Sequence, residues 1–322
     1  MRYRILGRTG LRISEIGFGA WGIGGGMWQG GTDRESLRAL HKAIDLGVNF
    51  IDTALVYGDG HSEQLVGQVV RERKEEVYVA TKVPPKNTRW PATAGVPVEE
   101  VFPHDYILTS VEKSLRNLQL DCIDLIQFHI WSDEWAEDSN WYSAVQKLKE
   151  QGKIRFFGIS INEHQPENAL MVARTGRVDA FQVIYNIFDQ KPAEKLFPLC
   201  QELNIGIIVR VPFDEGSLTG TITTKTLFEP GDWRNQYFRG DRKRQVEERV
   251  NQLKADFTEF PASLPEVALR FCLSHRAVST VIPGMRTIRH VESNCAAADG
   301  KGLPAAVLEK LKTHVWKKNF YA

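Results

Sequence analysis

The sequence predicts an α/β fold, a (β/α)8 TIM barrel with an N-terminal β-hairpin and extra C-terminal helices. Two observations support this prediction. About eight short, nearly continuous apolar runs are each followed by a segment of helical period, which is typical of buried parallel strands covered by helices. No linker-like change of composition interrupts the alternation, so we expect one domain over residues 1–322 and favour a closed barrel over an open sheet.

The elements can be placed in order along the chain. Segments 2–7 and 11–15 are predicted to form the hairpin, because a turn-forming Arg-Thr-Gly bridges them. Barrel strands are predicted at 16–19, 48–52, 77–82, 123–128, 154–160, 180–184, 205–211 and 278–282. Helices are predicted at 33–46, 62–73, 105–120, 140–151, 166–175, 193–203, 242–257, 263–274, 287–298 and 304–316. Thr32 is the expected N-cap of the first of them.

The composition argues against nucleic acid and membranes as binding partners. The formal net charge is +1, so the chain has no overall basic field that would attract nucleic acid or a membrane surface. It has no signal-peptide run, and no apolar stretch approaches the roughly 20 residues of a membrane span. The four cysteines are far apart, with no paired spacing. We therefore expect reduced thiols in a cytoplasmic protein.

Polar side chains at the ends of two consecutive strands indicate an active site. Asp52 ends the strand at 48–52, Tyr57 follows on the loop, and Lys82 ends the next strand. The carboxyl ends of barrel strands meet at one rim, where barrel enzymes place their catalytic groups. A phenol has a pKa of about 10, so it donates a proton readily at neutral pH only beside a cation. His129, which follows the strand at 123–128, is expected at the same rim.

Two other interpretations compete with this one. The segment G-F-G-A-W-G (17–22) has the spacing of a dinucleotide-binding turn, but the glycines at 24–26 and 30–31 cannot continue as its helix. We favour a flexible loop over the barrel mouth. His129 is also a candidate metal ligand, which leaves a metal-dependent hydrolase as a weak alternative, although no further ligands lie at neighbouring strand ends.

A set of motifs spans nearly the whole chain. They are G-F-G-A-W-G (17–22), N-F-I-D-T-A-L-V-Y-G (49–58), A-T-K (80–82), D-L-I-Q-F-H (124–129), G-I-S (158–160), Q-V-I-Y-N (182–186), E-G-S-L-T-G (215–220) and I-P-G-M-R (282–286). In these motifs the chain resembles the aldo-keto reductases. The resemblance implies NADPH-dependent reduction of aldehydes or ketones to alcohols.

The resemblance also assigns roles to four residues. Tyr57 corresponds to the general acid toward a carbonyl oxygen. Lys82, paired with Asp52, is expected to lower the pKa of Tyr57. His129 is expected to hydrogen-bond and orient the same oxygen. No metal is implied.

The resemblance also implies a cofactor-binding site, which includes more residues than the catalytic set. Its residues are Ser160, Gln182, Arg210, Pro212, Gly216, Ser217, Leu218, Gly284, Arg286, Arg289, His290 and Asn294. The first two match nicotinamide contacts, and the glycine-rich loop after Arg210 suits a pyrophosphate. Arg286 and Arg289, at a helix start, suit a 2′-phosphate, which favours NADP(H) over NAD(H).

The substrate is expected to be a small-molecule carbonyl compound. Trp21, Trp28 and Trp131 are predicted to line an apolar mouth. The loop 86–104 could fold over the pocket or serve an interface, and the loop 221–241 could clamp the cofactor. A nicotinamide-binding redox sensor with little turnover is the main functional alternative. Oligomeric state stays open.

Overall fold

We describe residues 1–257 and 262–322 in a computed structural model of the chain. The N-terminal hairpin pairs β1 (Tyr3–Ile5) with β2 (Arg12–Ser14) in antiparallel register. Leu6, Leu11 and Ile13 from the hairpin pack against inward-facing strand residues such as Leu125. The hairpin thus closes the amino-terminal end of the barrel and leaves the carboxyl-terminal rim for the site.

Within the described residues, eight parallel strands form the sheet, in sequence order. They are β3 (Phe18–Gly19), β4 (Phe50–Asp52), β5 (Tyr78–Val83), β6 (Ile123–Phe128), β7 (Ile154–Ser160), β8 (Ala180–Ile184), β9 (Gly206–Arg210) and β10 (Val278–Val281). Bridges from Ile16 to Val281 and from Gly19 to Gly284 join the last strand to the first. The predicted barrel is therefore confirmed.

Helices cover the outside of the barrel. They are α1 (Asp33–Asp45), α2 (His61–Glu72), α3 (Val98–Val101), α4 (His104–Leu118), α5 (Asn140–Glu150), α6 (Leu170–Arg174), α7 (Leu196–Glu202), α8 (Arg234–Tyr237), α9 (Arg242–Asp256), α10 (Leu264–Ser274), α11 (Ile288–Ala296) and α12 (Ala305–Lys312). The Thr32 hydroxyl accepts from the Glu35 backbone N–H and caps α1 as predicted. None of the helices in 1–257 and 262–322 is long and apolar enough to cross a membrane.

The largest differences from the predicted elements are two shortened helices and two short helices that the sequence does not predict. The helix predicted at 166–175 is reduced to α6, because the Asn168 side chain bonds to the backbone of Trp131 and Asp133 and holds a turn there. The helix predicted at 304–316 ends at Lys312, and a turn at 313–314 and a segment without regular secondary structure follow. Short helices α3 and α8 lie in the two long loops, where the sequence predicts none.

Candidate functional site

A buried ion pair lies at the carboxyl-terminal rim. The Lys82 ammonium donates to Asp52 Oδ2 at 2.6 Å and to the Thr53 carbonyl at 2.8 Å. Both side chains of the pair are buried. Strands β4 and β5 are neighbours, which brings the two residues together although they are 30 positions apart in sequence. Such a pair persists in a dry interior only when further hydrogen bonds satisfy its charges.

The second oxygen of Asp52 has amide partners. Gln127 and Gln182 donate to Asp52 Oδ1 at 3.1 Å and 2.7 Å from β6 and β8. The sequence predicts Gln182 as a cofactor contact, and in the structure its amide nitrogen binds Asp52. Gln127 was missed as a site residue, although a polar residue inside the apolar run 123–128 was a usable signal. The four strands β4, β5, β6 and β8 therefore share one buried polar network.

Tyr57 lies above this pair and beside His129. The Lys82 ammonium is 5.2 Å from the centre of the Tyr57 ring, and the His129 ring meets it edge-on at 5.7 Å. Gly58 adopts a φ of 65° and packs against Gly24, where a side chain would collide with the Gly24 carbonyl. This close approach fixes the loop that carries Tyr57. The four predicted catalytic side chains thus lie together at one rim.

The protonation states follow from burial and neighbouring charge. Burial, and then Asp52, raise the pKa of Tyr57, while Arg210 lowers it. Burial lowers the pKa of His129 well below its usual range, and Lys82 and Arg210 lower it further. Near neutral pH Tyr57 is therefore a protonated phenol and His129 a neutral imidazole.

The sequence predicts that Lys82 lowers the pKa of Tyr57, whereas the net direction is a rise, because burial and Asp52 outweigh the lowering by Arg210. Asp52 offsets part of the charge of Lys82 at 2.6 Å, so the pair presents less positive charge to the phenol than a free ammonium would. Burial also lowers the pKa of Lys82 itself, against the opposing effect of Asp52. Arg210 is a second cation near the phenol, and it lowers the pKa of Tyr57.

Aromatic side chains surround Tyr57 and His129. Trp21 stacks on Tyr57 with ring centres 6.1 Å apart. Trp28 meets Trp21 edge-on at 5.4 Å, as expected for two residues predicted at the mouth. Trp90 in loop 86–104 meets His129 at 4.6 Å. Both Trp90 and the glycine-rich loop therefore border Tyr57 and His129.

Trp131 requires a correction. The sequence predicts it at the mouth, but its side chain has 0% exposure and packs between Trp135 and Trp141. Its indole N–H donates to Asp133 at 3.2 Å. The chain turns inward just after His129, which carries Trp131 into the aromatic core behind β6 rather than into the pocket.

The loop 221–241 crosses to the glycine-rich loop. The Trp233 backbone N–H donates to the Met27 carbonyl at 2.8 Å, and the Gln29 N–H donates to Asp232 at 3.3 Å. The Trp233 ring lies 6.1 Å from Trp21. The loop therefore forms a strap beside the barrel mouth, an arrangement compatible with the clamp predicted for it.

Residues predicted for the nicotinamide lie on three adjacent strands. Ser160 and Gln182 are direct partners in the β7–β8 register. Arg210 ends β9 and donates to the Ile161 carbonyl at 3.0 Å and to Glu163 at 3.1 Å. Its Nε is buried and has no partner among the described residues. An unsatisfied buried donor here is compatible with a polar ligand.

The loop after β9 has an unusual backbone. Val211, Asp214 and Glu215 have φ values of 54°, 50° and 55°, and Gly216 has 109°. Among the described residues, no atom lies within 3.4 Å of the place where a Gly216 side chain would start, so a ligand can approach the backbone there. Two further residues predicted for the pyrophosphate, Ser217 and Leu218, are fully buried, and Pro212 is buried too.

The turn before α11 completes the predicted cofactor site. The Thr287 hydroxyl caps the helix at the His290 N–H, and Arg289 and His290 are exposed. Gly284 faces open space, and Asn294 donates to its carbonyl at 3.5 Å. Arg286 donates instead to the Gln29 carbonyl at 2.6 Å and so ties this turn to the glycine-rich loop. The residues from β7 to α11 therefore fit a dinucleotide, with open backbone at one end and cations at the other.

Glu215 is a site residue that sequence reasoning did not assign by itself. Tyr321 donates to its carboxylate at 2.7 Å. Burial raises the pKa of Glu215 to about 7, with Asp214 adding to the rise and Tyr321 and Arg210 opposing it. Glu215 and Tyr321 are far apart in sequence, so no local sequence pattern predicts their contact.

This carboxyl group makes stability depend on pH. Its pKa in the folded state is about 7, above its ordinary value of 4.5, so between these values the folded protein binds more protons than the unfolded chain. The free energy of unfolding is therefore expected to fall as pH rises through this range. Glu215→Gln should flatten that fall in urea unfolding, whereas Glu99→Gln, at an exposed position, should not. Equal pH dependence in wild type and Glu215→Gln would contradict the assignment.

Potential metal ligands are dispersed. In the part of the chain that the structure describes, no three His, Cys, Asp or Glu side chains are grouped so that they could share a metal ion. The hydrolase alternative therefore has no supporting geometry there.

Comparisons with known proteins identify the family of the chain. Residues 15–315 match the model of the Aldo/keto reductase family. Aldo-keto reductase YhdN of Bacillus subtilis (strain 168) is 32% identical over 302 residues, covering 91% of this chain and 87% of that protein. The NADH-specific methylglyoxal reductase of Escherichia coli (strain K12) is 29% identical, covering 91% and 92%. The structure of the glycerol dehydrogenase AKR11B4 from Gluconobacter oxydans superposes with a TM-score of 0.79 at 28% identity, covering 97% of this chain and 94% of that one. This chain belongs to the aldo/keto reductase family, oxidoreductases that act on carbonyls and alcohols with nicotinamide cofactors.

Proposed function

We propose that this protein reduces aldehydes and ketones to alcohols with NADPH, and that Tyr57 is the general acid. The observation that carries the proposal is the grouping of Tyr57 over the buried Lys82–Asp52 pair, with a neutral His129 beside it. An isolated phenol, lysine or histidine would support no such reaction. Their convergence at one rim gives a carbonyl oxygen both a proton donor and a hydrogen-bond partner.

Each side chain then has a definite task. The Tyr57 phenol keeps its proton because its pKa is raised, and it releases that proton as the carbonyl oxygen becomes an alkoxide, a stronger base than phenolate. His129, neutral, donates a hydrogen bond that orients the oxygen. Lys82 stabilises the phenolate left behind. When bound, the reduced nicotinamide supplies the hydride, so aldehyde or ketone, NADPH and one proton give alcohol and NADP⁺.

The preference for NADP(H) over NAD(H) rests on charge. Arg289 lies in the first turn of α11, where a cation opposes the positive end of the helix dipole. A bound phosphate would relieve this conflict, because it pairs with both the guanidinium and the helix N-terminus. One relative is NADH-specific by name, so family membership alone does not decide the cofactor.

Arg289→Ala is expected to weaken NADPH binding by roughly 10- to 100-fold, the loss of one charge-assisted hydrogen bond, while NADH binding stays within about twofold. Fluorescence titration with both nucleotides measures the two dissociation constants. Lys301→Ala, at an exposed lysine outside the site, is the matched control. Equal losses for NADPH and NADH, or none for NADPH, would contradict the assignment of Arg289 to a 2′-phosphate.

A measurement of turnover distinguishes the proposed enzyme from a nicotinamide-binding redox sensor. Wild-type protein is expected to consume NADPH when supplied with a panel of aldehydes and ketones, followed by the absorbance of the reduced nicotinamide. Tight NADPH binding without turnover of any member of the panel would favour the sensor. The intact set Asp52, Tyr57, Lys82 and His129 favours turnover.

We place the reaction in the cytoplasm. All four cysteines are free, and Cys200 and Cys272 are buried. Free, unpaired thiols suit a reducing compartment.

A further inference from the structure

Two consecutive carboxylates in the loop after β9 are each bound by a residue from the end of the described chain. We call residues 315–322 the tail segment. Lys318 in this segment donates to Asp214 Oδ2 at 2.6 Å, and both side chains are about 95% buried. Tyr321 donates to Glu215 Oε1 at 2.7 Å. The tail segment thus binds the loop through two adjacent side chains.

The loop needs such support, because its backbone is strained at both residues. Asp214 and Glu215 have φ values of 50° and 55°, a region that side chains other than glycine rarely occupy. Residues in this conformation persist only where their surroundings hold them. Lys318 and Tyr321 supply one anchor for each strained residue.

The tail segment is itself firmly packed. The Arg242 guanidinium donates to the Phe320 carbonyl at 2.6 Å, and the Trp316 N–H donates to the Phe188 carbonyl at 2.9 Å. The Tyr321 ring stacks on Trp233 of the strap at 5.8 Å. One short stretch therefore connects the loop after β9 to the loop 221–241.

The contact between the tail segment and the loop also affects the charge next to the proposed pyrophosphate site. Asp214 and Glu215 come directly before Gly216–Leu218, where the proposed function puts the pyrophosphate. Two unpaired carboxylates there would repel a phosphate, and a buried charge is poorly screened. Lys318 neutralises the first, and Tyr321 donates to the second.

We propose that Lys318 and Tyr321 are positioning residues for the dinucleotide, acting through Asp214 and Glu215. They fix the backbone of the loop so that its N–H groups are available to the pyrophosphate, and Lys318 offsets the negative charge of Asp214 beside it. The inference rests on the proposed function, and it assigns to the tail segment a part in cofactor binding.

The test is direct binding of NADPH to the full chain, measured by fluorescence. Lys318→Met is expected to weaken binding by about tenfold or more, because among the described side chains it leaves Asp214 with only the 3.4 Å hydrogen bond from Tyr237 and no opposite charge. Tyr321→Phe is expected to weaken it by about three- to tenfold, because it removes the hydrogen bond that anchors Glu215. Lys317→Met, at the adjacent exposed lysine, should bind as wild type does. The double variant Lys318→Met/Asp214→Asn should recover most of the loss, because it removes the unpaired charge.

Each outcome decides the inference. If Lys318→Met and Tyr321→Phe lower the melting temperature but bind NADPH as tightly as wild type, the tail segment has a purely structural role and the inference fails. Tyr321→Phe removes one hydroxyl only, so it keeps the test valid should Lys318→Met fail to fold. If wild type itself binds neither NADPH nor NADH, the proposed function fails first, and this inference fails with it.

Discussion

Tyr57→Phe is expected to reduce kcat for carbonyl reduction by about 10²- to 10⁴-fold, the usual contribution of a positioned general acid. The phenylalanine ring keeps the contacts with Trp21 and His129, and the variant lacks only the hydroxyl group that carries the proton. Since hydride transfer would then leave an alkoxide without a donor, the loss should appear in kcat rather than in KM.

The measurement pairs steady-state kinetics with NADPH titration. Binding of NADPH to Tyr57→Phe should stay within about threefold of wild type, because the phenol acts on the substrate oxygen. Tyr142→Phe, on helix α5, is a control for loss of a tyrosine hydroxyl elsewhere. A Tyr57→Phe variant that turns over at the wild-type rate would remove Tyr57 as the proton donor.

Lys82→Met is expected to lower the free energy of unfolding by about 3–5 kcal/mol, as well as to abolish most turnover. Asp52 is buried and accepts from Lys82 at 2.6 Å, so the variant leaves a carboxylate whose only remaining side-chain donors among the described residues are the amides of Gln127 and Gln182. An uncompensated buried charge costs far more than an exposed one.

A double variant separates the two effects. Lys82→Met/Asp52→Asn removes both charges, and it should recover most of the stability in urea unfolding without recovering turnover. Should the single variant prove as stable as wild type, the buried pair would not have the energetic role assigned to it. Recovery of activity in the double variant would remove Lys82 from the chemistry.

The barrel and the rim were predictable because their signals are local. Apolar runs such as 123–128 define buried strands, and a polar residue where a strand ends must lie at the rim. Asp52, Lys82 and His129 each follow this rule. The position of each residue relative to its own strand is therefore enough to predict that the three side chains lie at the same rim.

What the sequence could not supply depends on contacts between distant segments. Trp131 follows His129 by two positions, yet a turn of the backbone takes it into the core. The raised pKa of Tyr57 reflects burial by loops from elsewhere in the chain, whereas the sequence argument considered only the nearby cation. Similarly, Lys318 and Asp214 are 104 positions apart, so no spacing or motif indicates their contact.

The most direct measurement follows an isotope through the reaction. Wild-type protein is given an aldehyde and NADPH carrying deuterium at the transferable position of the nicotinamide, in ordinary water, and the alcohol is examined by NMR. We predict one deuterium on the former carbonyl carbon, whereas the hydrogen on oxygen, supplied through Tyr57, exchanges with the water and carries no deuterium. Alcohol formed without deuterium on that carbon would contradict hydride transfer at this rim.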